Sequence, residues 1–559
     1  MRAKRSSRFA FAAPLFALVP ALMGVAAPTL VHAAEPPSAP TSSLPTPMVA
    51  TPADAVGNTA VPTLPPPPTV DMRVPTEAPA PTASALVAPI PALPAAANKR
   101  AFVELASLRI LAAKGYITQA EYESAMRDLA EFVGGRGTDA ISLAVGKVTA
   151  TLYGFAQADV MWHSTQSFND YGSNFAVARP GTFAGEHGRT QFSVRDSRLG
   201  VRLQAPALSW LRASAVLEMD FLGPTGTVGS TITEASYFNN PNFRIRHAYF
   251  KIETPIVDIL FGHYWYLFGW QPNYFPTVVQ WPGLVGELFS RTAQLRLSKT
   301  LKWQRVVLEL AVAANRPPER DSMTPDMQAG VRLSFPKWTA VHTNYLTATT
   351  TAPASIGIAG DVRHFTLPEF SAMPQEARSA TGGGISVSAY LPIVPATKEH
   401  KDNSLSLIGE FVTGESLSEM YIGLTGGLTN PALPNPSMQV PAPVYTPAVD
   451  AGLAVYDASG NLRLPRWTTF MVGAEYYLPK VGGRVALFAN YSRSQLHDAQ
   501  SYGNGAKVRD HESFCNAGLF FDLSDSLRFG MDYGRFNDVY ADGVEAVTHA
   551  VQGTGFFFF

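Results

Sequence analysis

From Lys147 onward, apolar side chains recur at every second position, the pattern of extended chain with one face in an apolar medium. In VTATLYGFAQADVMW, Val148, Ala150, Leu152, Ala156, Ala158, Val160 and Trp162 share one face, while Thr149, Thr151, Gln157 and Asp159 share the other. SRLGVRLQ sets Leu199, Val201 and Leu203 against Arg198, Arg202 and Gln204. LRASAVLEMDF sets Leu211, Ala213, Ala215, Leu217, Met219 and Phe221 against Arg212, Ser214, Glu218 and Asp220. The same alternation returns within residues 305–315, 328–335, 384–391, 404–412, 468–478, 483–492, 515–522 and 526–534.

Alternation by itself also fits a soluble two-sheet sandwich, whose polar face is the outer one. Three further features decide. The polar face carries arginines and carboxylates in mid-strand, on a chain that begins like an exported one; the strands arrive in adjacent pairs; and Tyr249, Trp265, Tyr476, Tyr477, Tyr491 and Tyr533 sit toward strand ends, where interfacial girdles lie. The expected fold is all-β: a closed transmembrane antiparallel β-barrel over 147–559, apolar outside and wet inside. The strand count comes to about sixteen or seventeen, with the ambiguity at 338–366, and an even number is expected of a single-chain barrel.

Ahead of the barrel the pattern changes. Arg2, Lys4, Arg5 and Arg8 precede an apolar run and the small-residue exit VHAAE, so residues 1–34 read as a signal peptide; Pro14, Pro20 and Pro28 argue against an uncleaved anchor. Residues 35–97 are rich in Pro, Ala, Thr and Val and read as a disordered, extended linker. Within 98–136, Phe102, Leu105, Leu108 and Ala112 form one helical stripe and Tyr122, Met126, Leu129 and Val133 a second. Gly115 ends the first helix, and Thr118 with Glu121 makes a capping box for the next. Such short helices need a partner, so this hairpin either binds another chain or caps the domain that follows.

Composition narrows the function. With 43 basic and 44 acidic residues, nucleic acid is not an expected partner. The single cysteine, Cys515, forms no internal disulfide and reads as a small, buried apolar residue. The 11 histidines are scattered singly and no nucleophile elbow occurs, so no catalytic site, metal or cofactor is expected. His247 and His263 read as lumen or interface residues.

Parity places Arg198, Arg202, Arg212, Arg244, Arg246, Arg296, Arg305, Arg332, Arg484 and Arg528 on the inner face, with Asp196, Glu218, Asp220, Glu309, Glu410, Glu475 and Asp532. Guanidinium groups grip carboxylate or phosphate in a bidentate fork, so a row of them guides anions; equally, these charges pair with one another to satisfy a polar interior. Both readings stand at this point. Residues 271–288 are too long for a hairpin turn and too aromatic for a disordered loop. The insertion 414–465 reads from its Gly, Pro and Asn content as an extracellular loop.

The chain ends in GTGFFFF, and a barrel needs a last strand to pair with its first. With Phe557 and Phe559 at alternate positions, the tail resembles the C-terminal signature of bacterial outer-membrane proteins that the barrel-assembly machinery recognises; Gly553 and Gly555 depart from it. LYGFAQADVMW, SRLGVRL, LEMDFLG, FRIRHAYFKI, GHYWYLFGW and SRTAQLRLS, in that order, resemble the opening strands of the DcaP-like and phosphate-selective porins. The resemblance implies about 16 strands, an outer-membrane location in a Gram-negative bacterium with the N-terminal region periplasmic, and often a homotrimer. Resemblance to general porins implies that 271–288 fold inward, with Tyr274, Phe275, Trp281 and Glu287 near a constriction; the other reading is an outer loop at a subunit contact. The function implied is passive diffusion of small hydrophilic solutes, with a mild preference for anions. A barrel that tethers the membrane through its Pro-rich segment, and a barrel enzyme, are the alternatives.

Overall fold

The computed structural model describes residues 142–145, 147–168, 176–223, 242–269, 275–278, 284–319, 322–344, 348–371, 374–397, 400–421, 426–431 and 449–559. The expected signal peptide, linker and helical hairpin lie outside the described residues, as do Tyr274 and Trp281.

The alternating chain forms β1 (Val148–His163), β2 (Arg189–Ser193 continued by Arg198–Gln204), β3 (Arg212–Gly223), β4 (Asn242–Glu253), β5 (Asp258–Trp265), β6 (Arg291–Lys302), β7 (Val307–Asn315) and β8 (Asp326–Asn344). It continues as β9 (Ala348–Pro368), β10 (Ala377–Val394), β11 (Ser404–Glu415), β12 (Arg466–Tyr477), β13 (Val485–Leu496), β14 (Arg509–Ser524), β15 (Leu527–Tyr540) and β16 (Glu545–Phe558). Among the described residues these are 16 barrel strands, each antiparallel to the next, and β16 pairs β1 from Phe155↔Phe558 to His163↔Ala550 to close the sheet. Below that seam a short strand, Ser142–Val145, pairs Val148 to Thr151 and covers the part of β1 that β16 does not reach. No edge of β1 is left open, which is the condition for a sheet in hydrocarbon.

Short turns such as 254–257, 303–306 and 525–526 join strands at one end, here the turn end; the long connections after β1, β3, β5 and β11 gather at the other, the loop end. The outer face is apolar and exposed: Val160 is 46%, Ile358 48% and Phe529 46% accessible. Gln157 and Asp159, one position out of phase on β1, are buried at 3% and 2%. The polarity of a soluble domain is inverted.

Two irregularities change the parity read from sequence. In β4 a bulge opposite Glu218/Met219 turns the consecutive Arg246 and His247 both inward, so Tyr249 faces the lumen while Phe250 faces out. In β8, residues 336–338 bulge between Phe335↔Ala354 and Thr339↔Pro353. Residues 339–344 therefore continue β8 and form no strand of their own, which resolves the count to the even number.

Other expectations are corrected. Arg305 and Arg484 sit exposed on short turns and not on the inner face, because β7 begins at Val307 and β13 at Val485. Of the aromatics expected in girdles, Tyr491 and Tyr533 lie exposed on the outer face, but Tyr249 and Tyr477 turn inward by parity and Trp265 is buried against Phe289. Cys515 is half-buried, not fully buried, at an outward position of β14 between inward Phe514 and Asn516.

Candidate functional site

The lumen is built from the inward positions of the strands, and it has two unlike walls. On β2 to β4, register sets Arg198 opposite Asp220 and Gly200 opposite Glu218, while Asp220 faces Arg244 across the next ladder. Two carboxylates thus meet three guanidinium groups. Arg244 grips Asp220 with Nε at 3.0 Å and Nη2 at 2.6 Å; Arg246 donates from Nε to Glu218 at 3.1 Å and from Nη1 to Asp220 at 2.9 Å; Arg198 Nε lies 3.6 Å from Glu218. Tyr153 donates its hydroxyl to Glu218 at 3.0 Å. Farther along this wall Arg332 pairs with Glu309 at 2.5 Å.

Other cations on the same wall rest on rings and backbone. Arg202 lies 5.3 Å from the Tyr153 ring centre, and Arg296 lies 5.3 Å from that of Tyr264 while donating to Gln294 Oε1 at 2.9 Å and to the Trp265 carbonyl at 2.6 Å. Arg291 lies 4.5 Å from the Trp265 ring and 5.6 Å from Phe289. Among the described residues Arg202, Arg212 and Arg296 make no ion pair. On this wall Arg198, Arg244, Arg246 and Arg332 are therefore ion-paired, and among the described residues Arg202, Arg212 and Arg296 are not.

The connection after β5 crosses to the opposite wall. Thr277 Oγ1 donates to Asp532 at 3.1 Å and the Val278 amide to the same oxygen at 3.3 Å; Asn490 Nδ2 donates to the Pro276 carbonyl at 2.6 Å; the Leu288 amide donates to Glu410 at 3.1 Å. Glycines make room for it, since a Cβ at Gly530 would lie 2.4 Å from Val278 Cγ1 and one at Gly473 3.0 Å from the Phe275 ring. Phe275 and Leu284 join a buried cluster with Ile408, Met471, Phe514 and Phe536. The described part of 271–288 is thus seated inside, against β11 to β15, and not on the outer surface. Glu287 is buried there; loss of water and the nearby Glu410 carboxylate push it well above the usual carboxylate range.

This docking also accounts for the far-wall carboxylates. Glu410 and Asp532 are inward, as parity requires, but their oxygens hold the loop. Glu475 is engaged by His342 and Thr343, and Arg528 is closed by Asp522 at 2.5 and 2.9 Å. Asp196 falls in the break between the two halves of β2. At the seam, Phe557 and Phe559 face out at 56% and 38% exposure, whereas Phe556 and Phe558 are buried and meet Phe155 edge-on at 5.6 and 5.9 Å.

Sequence reasoning passed over Arg291, which stands at the first position of β6 where parity is hardest to assign, and Arg363. Arg363 is fully buried on β9, ion-paired with Asp326 at 2.9 Å and with Glu419, and so ties the connection after β11 into the barrel mouth. Its signal was present: an arginine in an alternating stretch, DVRHF, beside an inward aspartate. Among the described residues no group of side chains suits a metal ion.

No family model and no curated protein matches the sequence. Among solved structures, the outer-membrane channel DcaP of Acinetobacter baumannii is similar at 15% identity with a TM-score of 0.50, over 74% of this chain and 99% of that one. The anion-selective porin from Comamonas acidovorans aligns at 10% identity over 74% of this chain and 100% of that one, and Pseudomonas putida OprB at 12% over 73% and 94%; both reach a TM-score of 0.42. The likeness to DcaP is one of fold, and the fold of this chain is the 16-stranded barrel of an outer-membrane porin.

Proposed function

We propose that the protein is an outer-membrane porin that lets small hydrophilic solutes diffuse passively, with a mild preference for anions such as carboxylates or phosphate. The observation that carries this reading is the asymmetry of the lumen. The wall from β2 to β6 keeps Arg202, Arg212 and Arg296 without an ion pair among the described residues, while the far-wall carboxylates Glu410 and Asp532 are spent on the docked loop. Water-filled space beside the first wall then carries a positive potential, softened by mobile ions within about 8 Å at physiological salt. Phe275 and Glu287, with Tyr274 and Trp281, are proposed to narrow the passage, and Phe557 and Phe559 to serve as the signal read by the assembly machinery. The short turns would face the periplasm, as is general for such barrels. Outer-membrane lipid surrounds the wall in this reading, and homotrimerisation follows from the family resemblance.

Reversal potential across a salt gradient in planar bilayers tests the proposal. Wild-type protein is expected to give stepwise channels with weak anion preference, and Arg202→Ala with Arg296→Ala to move the potential toward the cation side. An unmoved potential removes the arginines from the mechanism. Silence accompanied by lipid hydrolysis points instead to an enzyme, and silence with cell-wall binding to a tether.

A further inference from the structure

The bulge at 336–338 has a consequence larger than its effect on the strand count. Above it β8 is part of the wall, paired with β7 as far as Ser334↔Val307 and with β9. Below it the β8–β9 ladder continues from Thr339↔Pro353 to Asn344↔Ala348, but β7 has ended, and β10 pairs β9 only from Ser355↔Tyr390 upward. The two arms, 339–344 and 348–353, have left the wall.

They turn into the lumen. Ala340 and Val341 are fully buried, and His342, Thr343 and Ala352 nearly so. The Val341 amide donates to Ser404 Oγ at 3.1 Å at the base of β11, and the Ala396 amide donates to the Thr339 carbonyl at 2.8 Å. On β12, four strands round the barrel from β8, Glu475 accepts the Thr343 amide at 3.0 Å and hydrogen-bonds His342 Nδ1 at 2.9 Å. Tyr477 OH lies 3.3 Å from Thr343 Oγ1. Val341 shares a buried cluster with Tyr477, Phe488, Phe520 and Val278 of the loop that enters from the other end. A carboxylate buried among two hydrogen-bonding residues of a non-adjacent strand holds the arms by charge-assisted bonds, which are among the stronger polar contacts available.

We propose that the inward arms of β8 and β9 form a second constriction, at the turn end, which sets the largest solute the barrel passes, while the arginine wall sets the preferred charge. This rests on the porin reading. Selection by size and selection by charge are then carried by separate elements.

The test compares wild-type protein with a shortened variant, in which residues 336–353 are replaced by an Asn-Gly turn, and with Glu475→Ala, which removes the acceptor of the arms without touching the ladder. Folding is checked by heat-modifiable gel mobility; single-channel conductance and liposome swelling with neutral oligosaccharides of graded length are the readouts. Shortening is expected to raise conductance roughly twofold, because resistance concentrates at the narrowest section, and to admit longer neutral sugars. Glu475→Ala is expected to move both readouts the same way, and it decides the matter if the shortened chain does not fold. A folded variant with wild-type conductance and size limit overturns the second constriction and leaves the porin reading standing. A silent wild type that opens on shortening supports the constriction, and silence of every variant overturns both.

Discussion

Arg246 and Arg202 are both inward arginines of the same wall, yet their surroundings give them opposite expected roles. Arg246 is buried between Glu218 and Asp220, so its removal leaves two buried carboxylates short of a partner. Arg246→Ala is expected to cost about 3 kcal/mol, the low end for breaking a buried pair because Arg198 and Arg244 remain, and to lower the temperature at which the folded band disappears on gels. Arg202 rests on a tyrosine ring in exposed surroundings, and its removal should cost under ~1 kcal/mol while shifting ion preference. Glu287 supplies a pH dependence. Its carboxyl is held above the ordinary range by burial and by Glu410, so the docked loop binds a proton that the undocked loop releases. Docking is complete below the ordinary carboxylate pKa and weakens as pH rises from there toward the raised value. Loop-closure noise in bilayer recordings should therefore grow with pH in wild-type protein and stay flat in Glu287→Gln; a pH-independent wild type rejects the assignment.

At the scale of elements, the phenylalanine tail shows how one strand serves two media. Phe556 and Phe558 pack against Phe155 inside, while Phe557 and Phe559 face outward, and the Phe559 amide and carbonyl each bond Gly154 at 3.1 Å. Phe556→Ala is expected to destabilise the refolded barrel by about 3–5 kcal/mol, the cost of emptying a packed aromatic site, measured by urea unfolding in micelles. Phe557→Ser should hardly move that midpoint if its role is in assembly, and should instead reduce the amount of barrel recovered from outer membranes. Of the outward glycines that weaken the tail's alternation, Gly555 lies beside Phe529, whose ring would stand 3.6 Å from a Cβ there, whereas a Cβ at Gly553 would meet open space. The entering loop depends on a different economy of space: Gly530→Val would place side-chain atoms where Val278 lies, and is expected to lift the loop and raise single-channel conductance.

For the whole molecule the governing fact is inversion, with apolar residues outside and a hydrogen-bonded polar interior. Cys515 offers a direct reading of it. Half-buried on the outer face of β14, it should resist a charged, membrane-impermeant maleimide in liposomes and react with a lipid-soluble one, and it should become reactive to both on unfolding. Rapid labelling by the charged reagent in the folded state would mean that water, not hydrocarbon, meets this face. The same inversion explains the lumen's economy: a wide barrel interior is satisfied partly by paired charges and partly by the loop and arms folded into it.

Alternation after Lys147 was enough to determine the strands, their two faces and the closing role of the tail, because a side-chain period of two is a local property of extended chain and the medium on each face acts on every residue separately. It also placed Glu218, Asp220, Arg198, Arg202 and Arg246 inward. The sequence could not decide the parity of His247 and Tyr249, since an added residue in β4 shifts everything beyond it, and it could not show that residues 339–353 leave the wall, since their pairing with each other continues unbroken past the bulge. Nor could it tell which arginines are paired. That depends on which residues the register sets side by side across strands, and on a loop whose anchors, Asp532, Asn490 and Glu410, lie between about 120 and 255 residues farther along the chain. Local periodicity has no means of recording contacts at that separation; only closure of the sheet brings them together.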